Sequence, residues 1–256
     1  MNKNWIWLNL LDMENNKKLE IIKKHENIDE LFELYKNCWD EKYIELTENI
    51  YEYNKKNNIQ MVDILSKDYP DNLRNIYNPP ILLYYIGNIE LLKENVLGIY
   101  TGIEIDGYGR KLLKNIANLA TKKEMVICCR MQKSEENLNN SKKIYVLSCG
   151  ISNKFNTKDN LIISEYEYFV KTSKERNILR NRIITGISKN LVIIEAGLKD
   201  GVQYFVDFAL DQGRELWVIP SDVTRENSFY TNELIKYGVN ILTSFTELWV
   251  YEQNVK

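Results

Sequence analysis

An α/β fold with a mostly parallel sheet, preceded by a small all-helical region, is what this sequence predicts, on three observations. Short apolar runs without polar alternation recur from residue 81 onward, LVIIEAG at 191–197 being the clearest. Strands covered on both faces read this way. Amphipathic segments separate the runs, and strands alternating with helices predict a parallel sheet wrapped on both sides. The first 66 residues instead space their apolar side chains as helices do.

In chain order, Trp5, Trp7, Leu8 and Leu11, then Leu19 and Ile22, then Leu31, Leu34 and Tyr35 recur at helical intervals. They predict a helical domain over residues 1–66, with residues 58–67 as a short connector. The second domain then spans residues 67–250. Pro70 and the Pro79-Pro80 pair forbid helix and lead the chain extended into ILLYYIG, a strand. VLGIYTG (96–102) reads as a strand, and residues 109–123 as an amphipathic helix with Leu112, Leu113, Ile116 and Leu119 inward. MVICC (125–129), KIYVLSCG (143–150) and LIISEY (161–166) are further strands. RNILRNR reads as an arginine-rich turn, followed by a short helical piece and the strand LVIIEAG. YFVDFALDQGR is a helix, ELWVIP (215–220) a strand, and a last helix around NELIKYG leads into the short strand VNILT. Ligands of such sheets bind beyond the carboxyl ends of the strands, where helix N-termini present free N–H groups. The loops after Thr101, Cys149 and Glu195 therefore frame the expected site.

A length of 256 residues allows one large domain or a small and a medium one. A net charge of −2 argues against whole-molecule attraction to nucleic acid, but local charge argues for it. Five basic residues, Lys171, Lys174, Arg176, Arg180 and Arg182, stand against one acid, Glu175, between positions 171 and 182. Arginine forks beside a buried sheet suit phosphate, because their fixed donors match its oxygens in pairs. Arg110, Lys111, Lys114, Lys122 and Lys123 form a second basic group, which reads equally well as a solvated helix face. Cys38, Cys128, Cys129 and Cys149 include no C-x-x-C pair. Cys128 and Cys129 point to opposite faces of a strand, and free thiols in a reducing compartment are expected. His25 is the only histidine and is far from the cysteines, so neither a metal nor another cofactor is expected. No run approaches the ~18 apolar residues of a membrane span, and a cytoplasmic protein is expected.

The ordered set YPDNL, NPPILLYYIGN, KIYVLSCG, ISEY, RNRIITGIS, VIIEAG, LWVIP and TNELIKYG resembles the DNA-processing protein A family, also called Smf. The resemblance covers roughly residues 69 to 245, and RNRIITGIS followed by a strand ending in Glu-Ala is its most specific part. It implies an extended Rossmann-like domain behind a small SAM-like helical domain. It also implies binding of single-stranded DNA without catalysis, protection of incoming DNA, loading of the RecA recombinase in natural transformation, and a homodimer. The DNA contacts it implies are Lys171, Lys174, Arg176, Arg180, Asn181 and Arg182, with Thr101, Gly102 and Lys199 on the facing loops.

The departures from the family pattern cluster in that phosphate pocket. Ile103 and Glu104 stand where the family's first strand runs into an arginine, and CCRMQKSEENLNN replaces a Ser-Gly-x-Ala stretch. Asn177 replaces an aromatic, Asp200-Gly201-Val202 replaces Ser-Gly-Ser, and Phe205 replaces a threonine. Losing one charge-assisted phosphate contact costs about 1.5–3 kcal/mol. One of the RNR arginines has a structural alternative, a pair with Glu195 or a helix-end carbonyl. Tyr166, Tyr168 and Phe169 are either base-stacking platforms or core and rim residues. Two other functions stay open: an interaction module that has lost DNA, and a nucleotide-cleaving enzyme using Glu195 and Asp200 as acid and base.

Overall fold

The protein is described by a computed structural model, which covers residues 2–25, 27–133, 138, 141–151, 155, 157, 159–197 and 200–248. Four helices come first: α1 (Asn4–Leu10), α2 (Asn15–His25), α3 (Ile28–Tyr35) and α4 (Lys42–Lys56). The Asn27 side chain caps α3 by accepting the Asp29 amide at 2.9 Å, a satisfied helix start. Helix α1 buries Trp5, Ile6, Trp7 and Leu8 together, and the Trp7 ring meets Phe32 of α3 edge-on at 5.2 Å.

Nine strands follow in one sheet: β1 (Gln60–Asp63), β2 (Leu82–Gly87), β3 (Val96–Tyr100), β4 (Val126–Arg130), β5 (Lys143–Val146), β6 (Leu161–Ser164), β7 (Asn190–Ile193), β8 (Glu215–Val218) and β9 (Asn240–Ile241). Helices α5 (Asp71–Arg74), α6 (Gly107–Lys122), α7 (Lys174–Ile187), α8 (Val202–Asp211) and α9 (Phe229–Lys236) lie between them. The strand order is β1-β2-β6-β5-β4-β3-β7-β8-β9. β1 to β2 and β2 to β6 run antiparallel, and every other pairing is parallel. The chain thus moves outward from β3 through β4, β5 and β6, returns through α7, and continues from β7 on the other side of β3. That reversal opens a crevice between β3 and β7 at their carboxyl ends.

The central strands are buried on both faces, so their continuous apolar runs are the expected consequence. One face packs on α7, α8 and the amino-terminal helices through Tyr100, Cys128, Ile144, Leu191, Ile183, Phe205 and Trp7. The other packs on α6 through Leu97, Ile99, Ile127, Cys129, Leu113 and Ile116. Cys128 and Cys129 fall on opposite faces, as strand alternation requires, and all four cysteines are free thiols.

Two local readings need correction. Residues 58–67 are not merely a connector, because Gln60–Asp63 form the edge strand β1, with Val62 opposite Leu83. RNILRNR is not a turn: it lies inside α7, whose start is capped by the Ser173 hydroxyl accepting the Arg176 amide at 3.2 Å. No proline interrupts the segment, and arginine, leucine and isoleucine continue the helix to its first glycine, Gly186.

Candidate nucleic-acid interface

Helix α7 carries the basic residues, and its first half stands over the carboxyl end of β5. The Ser148 hydroxyl, just past β5, donates to Asn177 Oδ1 at 2.8 Å and lies 2.9 Å from the Thr172 hydroxyl. Arg180 Nη1 donates to the same Asn177 oxygen at 3.3 Å. Asn177 therefore sets Arg180 relative to the sheet. Lys171 and Lys174 are exposed, and Arg176 and Arg180 are half-buried. Arg176 donates to the Lys171 carbonyl at 3.0 Å, and its guanidinium lies 5.6 Å from the Tyr166 ring centre. Phe169 is 46% exposed beside these residues, and its ring meets Tyr168 edge-on. Tyr168 is committed elsewhere: it stacks on Tyr53 of α4 at 3.6 Å.

Arg182 does not join that surface. It is buried, and its two terminal nitrogens donate to the two Glu165 carboxylate oxygens at 2.8 and 2.6 Å. Its Nε donates to the Asn78 carbonyl and Nη1 also to the Leu179 carbonyl. Every donor group on the guanidinium is directed inward, so the expectation of a DNA contact is corrected to a structural tie. Glu165, not Glu195, is its partner. Asn181 is buried as well. Sequence spacing separates the arginines by only two residues, and helical rotation carries one outward and the other into the core.

The facing loops are also used internally. Thr101 is fully buried; its hydroxyl accepts from Gln132 at 3.0 Å and its carbonyl accepts from Arg130. The Gly102 amide donates to the Glu195 carbonyl at 2.5 Å. A Cβ on Gly102 would stand 2.5 Å from Asp200 Oδ2 and 3.2 Å from the Glu195 carbonyl, so a larger residue would push the Asp200 side chain aside. These two expected contacts are therefore loop-packing residues. Lys199 lies outside the described residues.

The crevice between β3 and β7 is filled by the protein's own carboxylates. Asp200 accepts the Ile103 amide at 3.1 Å and the Gly197 amide at 2.7 Å, clasping both loops. Glu195 is fully buried and accepts the Asp106 amide at 3.3 Å, occupying the N-terminus of α6 where a ligand phosphate would sit. Arg225 pairs with both Glu195 and Asp106 and covers the Tyr108 ring at 4.5 Å. Burial pushes the Glu195 carboxyl above the usual range, helped by the neighbouring Asp106 charge and opposed by Arg225. Glu195 and Asp200 are thus held by internal donors.

One residue that sequence reasoning passed over stands next to this crevice. Arg130 ends β4, on the face covered by α7, two residues beyond Cys128. It is 6% exposed, and its guanidinium lies 4.3 Å from the centre of the Tyr100 ring. The available signal was the same one that marked RNILRNR: an arginine directly following a buried strand. Burial raises the Tyr100 hydroxyl's pKa, and the charges of Arg130 and Arg180 both act against that rise. The two cations therefore share the neighbourhood of one tyrosine. A cavity of about 790 Å³ opens at the opposite end of the sheet, lined by Lys67, Asn95, Lys189, Glu215 and others, and holds none of the expected contacts. Among the described residues no group of histidine, cysteine and carboxylate side chains is arranged to hold a metal, and no helix is long and apolar enough to cross a membrane.

Comparison with known proteins agrees with this architecture. A solved structure of DNA processing protein A from Streptococcus pneumoniae superposes with a TM-score of 0.79, covering 98% of each chain at 24% identity. A Helicobacter pylori DNA processing protein A, described for its single-stranded DNA binding mode, superposes at 0.65 over 75% of this chain and 95% of that one, at 22% identity. In sequence, the DNA processing protein DprA of Streptococcus pneumoniae is 28% identical over 198 residues, 71% of this chain and 70% of that protein. The Bacillus subtilis protein of the same name is 24% identical over 222 residues, 79% and 75% of the two chains. The family model for DNA recombination-mediator protein A matches residues 60–131 and 141–252, and the chain belongs to that family.

Proposed function

We propose that this protein binds single-stranded DNA through the first half of α7, acting in DNA processing during natural transformation or recombination without itself catalysing a reaction. The observation that carries the reading is the basic run of exposed Lys171 and Lys174 and half-buried Arg176 and Arg180, positioned by Asn177 and Ser148 beyond the carboxyl ends of the strands. Phe169, 46% exposed, lies close by in sequence, and an exposed aromatic ring can serve as a base-stacking platform. Membership of the family and the described DNA binding of the Helicobacter pylori relative support the same substrate. On this reading the protein works in the cytoplasm as a homodimer, protecting incoming strands and passing them to the RecA recombinase.

The test is a gel-shift or anisotropy titration with a single-stranded oligonucleotide across a range of salt. Phosphate neutralisation gives a log–log slope of about −0.7 per phosphate contacted. Absence of salt-sensitive binding would sink the reading. One observation favours an interaction module instead: Asp200 and Glu195 close the crevice at which such sheets ordinarily take a ligand. That alternative forecasts a folded protein with no affinity for oligonucleotides.

A further inference from the structure

Arg130 is a deeply buried cation. Among the described residues no ion pair includes it, whereas the other deeply buried arginine, Arg182, holds Glu165 in a two-bond fork. One of its terminal nitrogens donates to the Thr101 carbonyl, and its Nε, also buried, has no hydrogen-bond partner. Buried charges are ordinarily paired, because leaving one unpaired forfeits its hydration. Carbonyl and ring contacts are a poor substitute for an anion. Both Asp200 oxygens accept loop amides, and no ion pair joins Asp200 to Arg130 among the described residues.

The position gives this charge a use. Strand alternation puts Arg130 on the α7 side of the sheet, at the carboxyl end of β4 and in the layer that contains Tyr100. Arg180 is fixed through Asn177 to Ser148 in the loop after β5, the strand that pairs with β4. From there the half-buried Arg176 and the exposed Lys174 and Lys171 lead outward along the helix start. The basic surface of α7 therefore continues inward to a buried cation that forms no ion pair among the described residues.

We propose that Arg130 contacts a backbone phosphate of the strand lying along α7, its guanidinium being the inner end of the basic track that Arg180, Arg176, Lys174 and Lys171 continue outward. The inference rests on the single-stranded DNA reading above, and adds to it a residue on the sheet. The ligand chemistry is a phosphodiester oxygen, recognised by charge and paired N–H donors and indifferent to base sequence.

The experiment compares wild-type protein with Arg130→Gln, Arg130→Lys and the surface control Lys122→Gln, titrating a labelled oligothymidylate between about 50 and 200 mM salt. Arg130→Gln should bind roughly 10- to 100-fold more weakly, as one charge-assisted contact implies, with its log–log slope shallower by about 0.7. Arg130→Lys should keep the wild-type slope with weaker affinity, because it retains charge and loses the fork. Lys122→Gln should match wild type. Thermal melting without DNA adds a second readout: removing an unpaired buried charge should leave Tm unchanged or raise it, whereas an arginine kept for the fold would lower it. If wild type binds with a salt slope and folded Arg130→Gln binds identically, the inference is wrong and the function stands. If Arg130→Gln does not fold, Arg130→Lys decides: affinity equal to wild type overturns the proposal. If wild type shows no salt-dependent binding, both fail together.

Discussion

Arg180 and Arg182 differ by two positions in sequence and by their whole role in the structure. Arg180 stays near the surface, tied to Asn177, while Arg182 points inward onto Glu165 with every donor group engaged. Arg182→Met should leave the Glu165 carboxylate buried and unpaired, costing about 3–5 kcal/mol in urea unfolding. Combining it with Glu165→Gln should recover much of that loss, since no charge is then stranded; additive losses would count against a coupled pair. Phe169 makes the opposite kind of prediction. It is 46% exposed and its ring meets Tyr168 edge-on, so Phe169→Ala should leave stability nearly unchanged. It should weaken single-strand binding by about 1–3 kcal/mol if a base stacks there; unchanged affinity would remove the platform from the account. None of these contrasts was legible from the RNR spelling. An arginine's partner is a tertiary fact, and Glu165 lies on the far side of a helix start and a loop.

The strands were the most legible elements. β3, β4, β6 and β7 are buried on both faces, so apart from Arg130 and Asn190 at strand ends every position is apolar or small, and the pattern survives without knowledge of the fold. β1 escaped because only Val62 of its four residues is buried, which leaves no pattern to see. Helix α7 was cut short by its charges, although its sequence contains nothing that stops a helix before Gly186. Gly186 itself shows the limit of propensity arguments. Alanine is better than glycine in a helix interior by about 1 kcal/mol, yet a Cβ here would stand 2.6 Å from Leu73 and 3.3 Å from Ile76. Gly186→Ala should therefore destabilise the protein by disturbing the α5–α7 contact. A variant as stable as wild type would show that α5 yields easily. Among site elements, the α7 basic run was visible beforehand. The loop residues Thr101 and Gly102 were expected at DNA, and in the structure Thr101 accepts from Arg130 and Gln132 while the Gly102 amide donates to the Glu195 carbonyl.

At the scale of the whole molecule, the amino-terminal helices are pinned to the sheet by polar contacts as well as by the core. Asn16 and Asn78 exchange side-chain and backbone hydrogen bonds at 3.1 and 3.2 Å, and Asn9 donates to Glu167 at 2.8 Å. Beneath them Lys18 is buried, donating to the Asn9 carbonyl at 2.6 Å. Burial lowers its pKa from 10.5 to about 8, against the pull of Glu167, Asp12 and Glu165. Its folded pKa lies below the unfolded one, so between those values the unfolded chain binds more protons. Stability from this group therefore grows as pH rises through that window, by at most about 1.4 kcal/mol per pH unit. The buried Cys128 thiol acts in the opposite sense above its unfolded value, since burial raises its pKa. The comparison with Lys18→Met isolates the lysine: the stability gap between the two proteins should shift in favour of wild type as pH rises from 8 to 10.5. A gap independent of pH would mean that Lys18 titrates normally.

The central claim is that charge at the start of α7 holds single-stranded DNA, and salt-dependent binding tests it most directly. Lys171 and Lys174 are exposed, so Lys171→Glu with Lys174→Glu should leave the fold intact. Wild type should bind an oligothymidylate with a log–log salt slope of about −0.7 for each phosphate it neutralises. The double reversal should weaken binding by roughly tenfold or more and flatten that slope by about two contacts' worth. Equal affinity and equal slope in the two proteins would contradict the account.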